Sequence, residues 1–220
     1  MKRFSFRLVN MAIGIFLYSL GIILTIKANI GYAPWEVFHV GLSNTIVLSL
    51  GLISIIVGFL LLIIVMACGE KFGLGTILNM VFIGIFIDIL LIIDIIPLMD
   101  NLISGSIMLV GGLFTIALGS YFYIGSGFGA GPRDNLMVVL ARKTKIPAGI
   151  CRSAVELTVT FIGWLLGGMV GIGTIISVIG IGFCIQITFR VFRFDVTAVR
   201  HESLQDTYKT LFAKKGAENS

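Results

Sequence analysis

The sequence predicts an all-α integral membrane protein, with six transmembrane helices arranged as two inverted three-helix repeats. Three observations predict this fold class. The 220 residues are 57% hydrophobic and only 12% charged, whereas soluble domains carry about 25% charged residues. Apolar windows of about 20 residues, the length that crosses the hydrocarbon of a bilayer, recur along the chain. The chain also resembles itself at an offset of 98 residues.

Six apolar windows are the predicted spans, and they fall at about 8–27, 51–68, 73–96, 105–124, 149–168 and 172–193. A more polar segment that begins with proline follows the first span, at 34–49, and another follows the fourth, at 132–147. Proline is favoured at the first position of a helix. Both segments are too short and too polar to cross the membrane, so they are predicted half-helices that either re-enter the membrane or lie at its surface.

The internal repeat is anchored by two glycine-proline turns, GYAPWE at 31–36 and GAGPRD at 129–134. When the chain is aligned to itself at this offset over 11–90, eight glycines coincide, where chance would align about two. Three spans per repeat place the second copy upside down, an arrangement that recurs in secondary transporters. The predicted units are a first repeat, 1–98, a second repeat, 99–193, and a cytoplasmic tail, 194–220.

Basic residues predict the orientation of these spans, because cytoplasmic loops are enriched in Lys and Arg. Lys2, Arg3 and Arg7 place the N-terminus in the cytoplasm, and six crossings return the C-terminus to the same side. The tail predicts a short amphipathic helix over 204–212. The basic residues behind the net charge of +5 are therefore expected to orient the spans in the lipid bilayer. Nucleic acid is not an expected partner.

The two turns also resemble a known family. GYAPWE, the GPRD of the second turn and six spans in this length are similar to the YczE/YyaS/YitT group of bacterial membrane proteins, and most similar to the YczE branch, over residues 8–193. The resemblance implies a multi-pass protein of the bacterial inner (plasma) membrane. It carries over no binding residue, and transport follows from it only by analogy.

Ionisable residues inside the spans are candidate ion or substrate ligands, because a charge at the bilayer centre costs about 2.5–3.5 kcal/mol. Glu156 lies one turn after Arg152, so the two can pair on one helix face. They form either a proton or cation site or a structural pair that fixes the helix to a neighbour. Asp88 aligns with Gln186, and Asn79 aligns with Ser177. These polar residues form either a solute path or packing contacts between helices.

The paired turns supply the remaining candidates. The helix N-terminus at Asp134 can hold an anion, and Arg133 can grip a carboxylate or phosphate with two hydrogen bonds. In the first copy, Trp35, Tyr32 and Glu36 form an aromatic wall with one carboxylate, which suits a cation or an apolar solute. The alternative is that the acids cap their own helices while the aromatic and basic side chains contact lipid headgroups.

The sequence predicts no enzyme, cofactor or metal site. The three cysteines are scattered, and neither His39 nor His201 belongs to a nucleophile or metal motif. His39 is predicted to be a hydrogen-bonded residue of the outer interface. Two functions stay open: a small-solute transporter or permease with a site between the repeats, or a scaffold, regulator or substrate-capturing subunit of a larger membrane complex. The transporter would bind a small molecule or ion. The scaffold or subunit would bind another membrane protein.

Overall fold

A computed structural model describes residues 2–70, 72–129 and 131–194, and this part of the chain is entirely helical apart from its loops. The predicted tail helix over 204–212 lies outside the described residues. Eight helices follow one another along the described chain: α1 (Lys2–Lys27), α2 (Pro34–Ile46), α3 (Leu50–Ala67), α4 (Leu74–Ile93), α5 (Leu102–Gly125), α6 (Pro132–Thr144), α7 (Ala148–Leu165) and α8 (Ile172–Val191).

Local chemistry explains where the helices begin and end. Proline occupies the first turn of both α2 and α6, where its missing N–H costs no hydrogen bond. Each of these short helices ends in a left-handed residue, Val47 (φ 57°) and Lys145 (φ 59°) respectively. Ser49 caps α3 by accepting a hydrogen bond from the Leu52 N–H. The two proline-led segments are therefore short helices of 13 residues each.

Five helices are long and apolar enough to span a membrane: α1, α3, α4, α5 and α8. A sixth span exists only if α6 and α7, which are bent by 120° at the break between them, count as one. Arg152 and Glu156 make α7 less apolar than its counterpart α3. The multi-pass membrane class is confirmed, whereas six spans and the inverted arrangement remain predictions.

The most extensive helix contact joins α1 to α5, which are equivalent at the 98-residue offset. A Cβ added to Gly14 would lie 2.8 Å from the Gly119 carbonyl oxygen, and one added to Gly21 would lie 2.8 Å from that of Gly112. Gly14 and Gly21 thus face Gly119 and Gly112 in reverse order, so α1 and α5 run antiparallel. Four glycines allow their backbones to meet.

Apart from an extensive contact between α3 and α4 and a small one between α2 and α8, the eight helices pack as two groups. One group consists of α1, α4, α5 and α8, and the other consists of α2, α3, α6 and α7. Each group therefore contains helices from both halves of the chain. The main packing between the groups runs along α3 and α4. Equivalent backbone hydrogen bonds also join the two halves. The Gly173 N–H donates to the Ile30 carbonyl (2.7 Å), and the Gly75 N–H donates to the Phe128 carbonyl (2.8 Å).

Candidate functional site

A cavity of about 290 Å³ lies between the two helix groups. Its charged lining residues all belong to the group of α2, α3, α6 and α7, and they are Arg133, Asp134, Arg152 and Glu156. The facing wall, from α1, α4, α5 and α8, carries isoleucines together with the uncharged polar residues Tyr18, Asn79, Ser120 and Tyr123. The cavity thus has one charged wall and one uncharged wall.

The N-terminal turns of α2 and α6 meet at the charged wall. The Arg133 guanidinium lies over the Trp35 ring, 4.8 Å from its centroid, and its Nη1 atom is 3.6 Å from Glu36 Oε1. Its Nη2 atom lies 3.5 Å from His39 Nδ1. Glu36 is 6% exposed and His39 is 2% exposed. Arg133 thereby neutralises a buried carboxylate and stacks on the residue that precedes it by 98 positions.

The second charged pair lies on α7. Arg152 Nε donates a hydrogen bond to Glu156 Oε1 at 2.8 Å, which is the spacing of one helical turn that the sequence predicts. The Glu156 side chain is 11% exposed, whereas that of Arg152 is 47% exposed. Both side chains line the cavity, where the carboxylate is buried and its partner is about half exposed.

The uncharged wall presents polar groups to the cavity. Tyr123 is 3% exposed, and within the described part of the chain its hydroxyl has no hydrogen-bond partner. Asn79 is also buried. Its Oδ1 atom and the Asp134 Oδ2 atom would each lie 3.5 Å from a Cβ placed on Gly131. The cavity therefore has polar side-chain oxygens close to Gly131, just before α6 begins.

Three predicted site residues lie elsewhere. Asp88 accepts hydrogen bonds from Ser49 Oγ (2.6 Å) and from the Gly51 N–H (2.7 Å), at the start of α3. Gln186 is exposed on α8, and neither Asp88 nor Gln186 lines the cavity. Tyr32 lies in the loop before α2 and does not line the cavity, and burial raises the pKa of its phenol.

Sequence reasoning did not single out Tyr18, Ser54, Ser120 and Tyr123, which are polar residues that line the cavity. It predicted His39 to be a hydrogen-bonded interfacial residue, whereas His39 is buried, with its Nδ1 atom beside Arg133 and its Nε2 atom without a hydrogen-bond partner among the described residues. A signal exists for α5, because Ile116, Ser120 and Tyr123 recur at helical spacing and share one face. His39 follows Glu36 by three positions, which is also the same face of a helix. Among the described residues, no group of three or more potential metal ligands occurs.

These features define the class: a multi-pass membrane protein whose central cavity is built from two short proline-led helices and the longer helices around them. Residues 5–190 match the family described as "Family of unknown function (DUF6198)". The chain belongs to this family.

Relatives support the same membership. The chain is 34% identical over 175 residues to the "Uncharacterized membrane protein YczE" of Bacillus subtilis, which covers 79% of this chain and 80% of that protein. An "Uncharacterized protein" of Haemophilus influenzae is 31% identical over 179 residues, or 79% of this chain and 81% of its own. "Uncharacterized protein YyaS" of Bacillus subtilis is 31% identical over 169 residues, or 76% of this chain and 84% of its own. The resemblance to a YczE/YyaS-type family is confirmed, and no solved structure matches the chain.

Proposed function

We propose that this protein transports a small polar solute across the bacterial inner membrane and that the solute binds in the central cavity. The observation that carries the proposal is the meeting of two proline-led helices at a charged cavity between two helix groups. Sites of secondary transporters lie at the interface of inverted repeats and use broken helices. Irregular backbone at membrane depth is tolerated where protein or a water-filled cavity satisfies its polar groups.

The packing supports the inverted arrangement of the two halves. Equivalent helices α1 and α5 run antiparallel, as they would if the second repeat were upside down. Each of two ion pairs also joins residues that belong on one side of the membrane in the proposed topology. Lys27 pairs with Asp94 on the outer side, and Arg142 pairs with Glu70 at 2.7 Å on the cytoplasmic side. Both termini are then cytoplasmic.

The two walls of the cavity suggest the solute class. Arg133 and Arg152 can bind a carboxylate or phosphate, while Asp134 and Glu156 can bind an amine. The isoleucines opposite can bury a short apolar part of the solute. The volume of about 290 Å³ is just below the usual range for small-molecule sites, which begins at about 300 Å³. The cavity therefore suits a small solute that carries a charged group and an apolar part.

Transport in proteoliposomes tests this proposal. A panel of small organic anions, amines and zwitterions is offered to the purified protein, and flux is compared with that of Glu156→Gln and of the double variant Arg133→Met with Glu36→Gln, which leaves no buried charge unpaired. Each change removes a charge-assisted hydrogen bond or an ion pair worth about 1.5–3 kcal/mol, so flux at low solute concentration should fall at least about tenfold. Glu70→Gln is the matched control, because it also breaks a close Arg–Glu pair but lies outside the cavity.

Two results would count against the proposal. Flux that is unchanged in both cavity variants would remove the site assignment. An absence of flux for every solute in the panel, with folded protein, would favour the second function.

The second function is that of a non-transporting subunit or scaffold, and one observation favours it. The edge between α7 and α8 leaves polar Gln186 exposed, and a helix of a partner membrane protein could cover it. Solubilisation in a mild detergent followed by purification tests this alternative. A partner recovered in stoichiometric amount supports the subunit role, whereas a single-chain particle whose thermal stability rises with a solute supports the transporter.

A further inference from the structure

The two halves of the chain differ at one contact. In the first half, α3 and α4 touch through glycines: a Cβ on Gly51 would lie 2.0 Å from the Gly84 carbonyl oxygen, and a Cβ on Gly84 would lie 2.5 Å from that of Gly51. Asp88 strengthens this contact, because its carboxylate accepts hydrogen bonds from the start of α3. The α3–α4 edge of the cavity is therefore closed by backbone contact.

The equivalent edge in the second half is open. At the 98-residue offset, Gly149 corresponds to Gly51, Gly182 to Gly84 and Gln186 to Asp88. An added Cβ would meet nothing within 4 Å at either Gly149 or Gly182. Gln186 is exposed, and within the described chain α7 and α8 do not pack along each other as α3 and α4 do. Both helices nevertheless line the cavity.

We infer that the α7–α8 edge is a gate of the cavity, open in this structure and closed in a second state by contact between Gly149 and Gly182. In the closed state the Gly149 N–H donates to the Gln186 side-chain carbonyl, as the Gly51 N–H donates to Asp88. This gate rests on the proposed transport function. In the proposed orientation it faces the cytoplasm, while the closed α3–α4 edge faces outward.

The glycines themselves argue for a second state. Gly182 lies inside α8, where a glycine costs about 1 kcal/mol relative to alanine. In the open structure neither Gly182 nor Gly149, which lies in the first turn of α7, has a neighbour that would require a glycine. Their counterparts Gly51 and Gly84 are required, because any side chain there would clash with backbone. A closed α7–α8 edge gives the second pair the same role.

The grouping of the helices supplies the motion. α3 and α7 belong to one packed group, and α4 and α8 belong to the other. If the groups rock as rigid bodies about the cavity, closing the α7–α8 edge opens the α3–α4 edge. The moving units are then two mixed groups of helices and not the two repeats, and the cavity is exposed to one side at a time.

Distance measurements between spin labels test the gate without any solute flux. Ile150→Cys with Phe183→Cys labels the open edge, and the matched control pair Leu52→Cys with Ile85→Cys labels the closed edge. All four positions are exposed and are related by the 98-residue offset. The background lacks the native cysteines, which are Cys68, Cys151 and Cys184.

We expect two distances for each pair in lipid nanodiscs. The first pair should show mostly the longer distance and the control pair mostly the shorter one, and the minor fractions should be equal because one motion changes both. A single distance for the first pair, with or without the solute panel, would overturn the gate. So would a short distance that appears only between two different chains, because it would show that a second copy fills the edge.

A second variant locks the gate. Gly182→Leu has room in the open structure but would block closure, so the short distance of the first pair should disappear while the folded yield is retained. Gly111→Leu is the control, because Gly111 also lies in a helix with nothing within 4 Å of an added Cβ, on α5. A short distance that persists in Gly182→Leu would contradict the proposed contact. If the gate closes as expected but no solute moves, the gate stands and the transport proposal falls.

Discussion

Removing the charge of Arg133 should destabilise the protein strongly, because Glu36 depends on it. The Glu36 side chain is 8% exposed, and the guanidinium 3.6 Å away is its ion-pair partner. Arg133→Met keeps a long side chain against the Trp35 ring but leaves the carboxylate buried without that partner. Breaking a buried pair in this way costs about 3–5 kcal/mol, a large fraction of the total stability of about 5–15 kcal/mol that is typical of folded domains.

The assay is reversible unfolding in mixed micelles, measured without solute so that binding does not contribute. The double variant Arg133→Met with Glu36→Gln removes both charges, and it should recover most of the loss because no charge is then left buried. If Arg133→Met lowers the free energy of unfolding by less than about 1 kcal/mol, or if the double variant is no more stable than the single one, Glu36 is not held by this pair.

Three further changes have expected outcomes. Gly119→Leu should abolish the folded yield, because an added Cβ would lie 2.6 Å from backbone of α1, whereas Gly111→Leu should express normally; size-exclusion profiles distinguish them. Asp88→Ala should lower the free energy of unfolding by about 1–3 kcal/mol, since it leaves the N–H at the start of α3 unsatisfied. Lys27→Met should change it by no more than about 1 kcal/mol in the same unfolding assay, because its partner Asp94 is 64% exposed.

Much of the secondary structure could be predicted because local residues determine it. Proline before Trp35 and before Arg133 begins a helix in both copies, a position that its fixed φ and missing N–H favour. The spacing of Arg152 and Glu156 predicts their pair, since one helical turn brings them together whatever the helix contacts. Whether the same helix crosses the membrane stays a prediction, because α7 meets the length and hydropathy of a span only when it is counted together with α6.

The cavity itself was only partly predictable, because it depends on which helices pack together. Asn79 and Asp88 lie on the same helix, yet only Asn79 lines the cavity. Asp88 instead contacts the neighbouring helix α3. The sequence also predicts a site between the two repeats, whereas the packing places helices of both halves in each group. Such pairings are set by side-chain contacts between distant segments, which neither periodicity nor hydropathy records.

His39 shows the same limit at the scale of one residue. A lone histidine near a predicted interface has no pattern that connects it to a residue 94 positions away, yet it lies beside Arg133 in the structure. Tyr123 is similar: its position in an apolar helix predicts burial, but only the packing shows that it lines the cavity and that its buried hydroxyl has no hydrogen-bond partner within the described part of the chain. A polar site that is built from several helices depends on how those helices pack, and the sequence alone does not show this packing.

The most direct test of alternating access is whether the central cavity can be reached from both sides of the membrane. Asn79→Cys, in a background without native cysteines, places one thiol in the cavity, and a membrane-impermeant thiol reagent is applied to right-side-out or inside-out vesicles. We predict rapid labelling from the cytoplasmic side and slower labelling from the outside, with Gly182→Leu blocking only the outer route. Labelling from one side alone in the unlocked protein, or from neither side, would contradict the transporter.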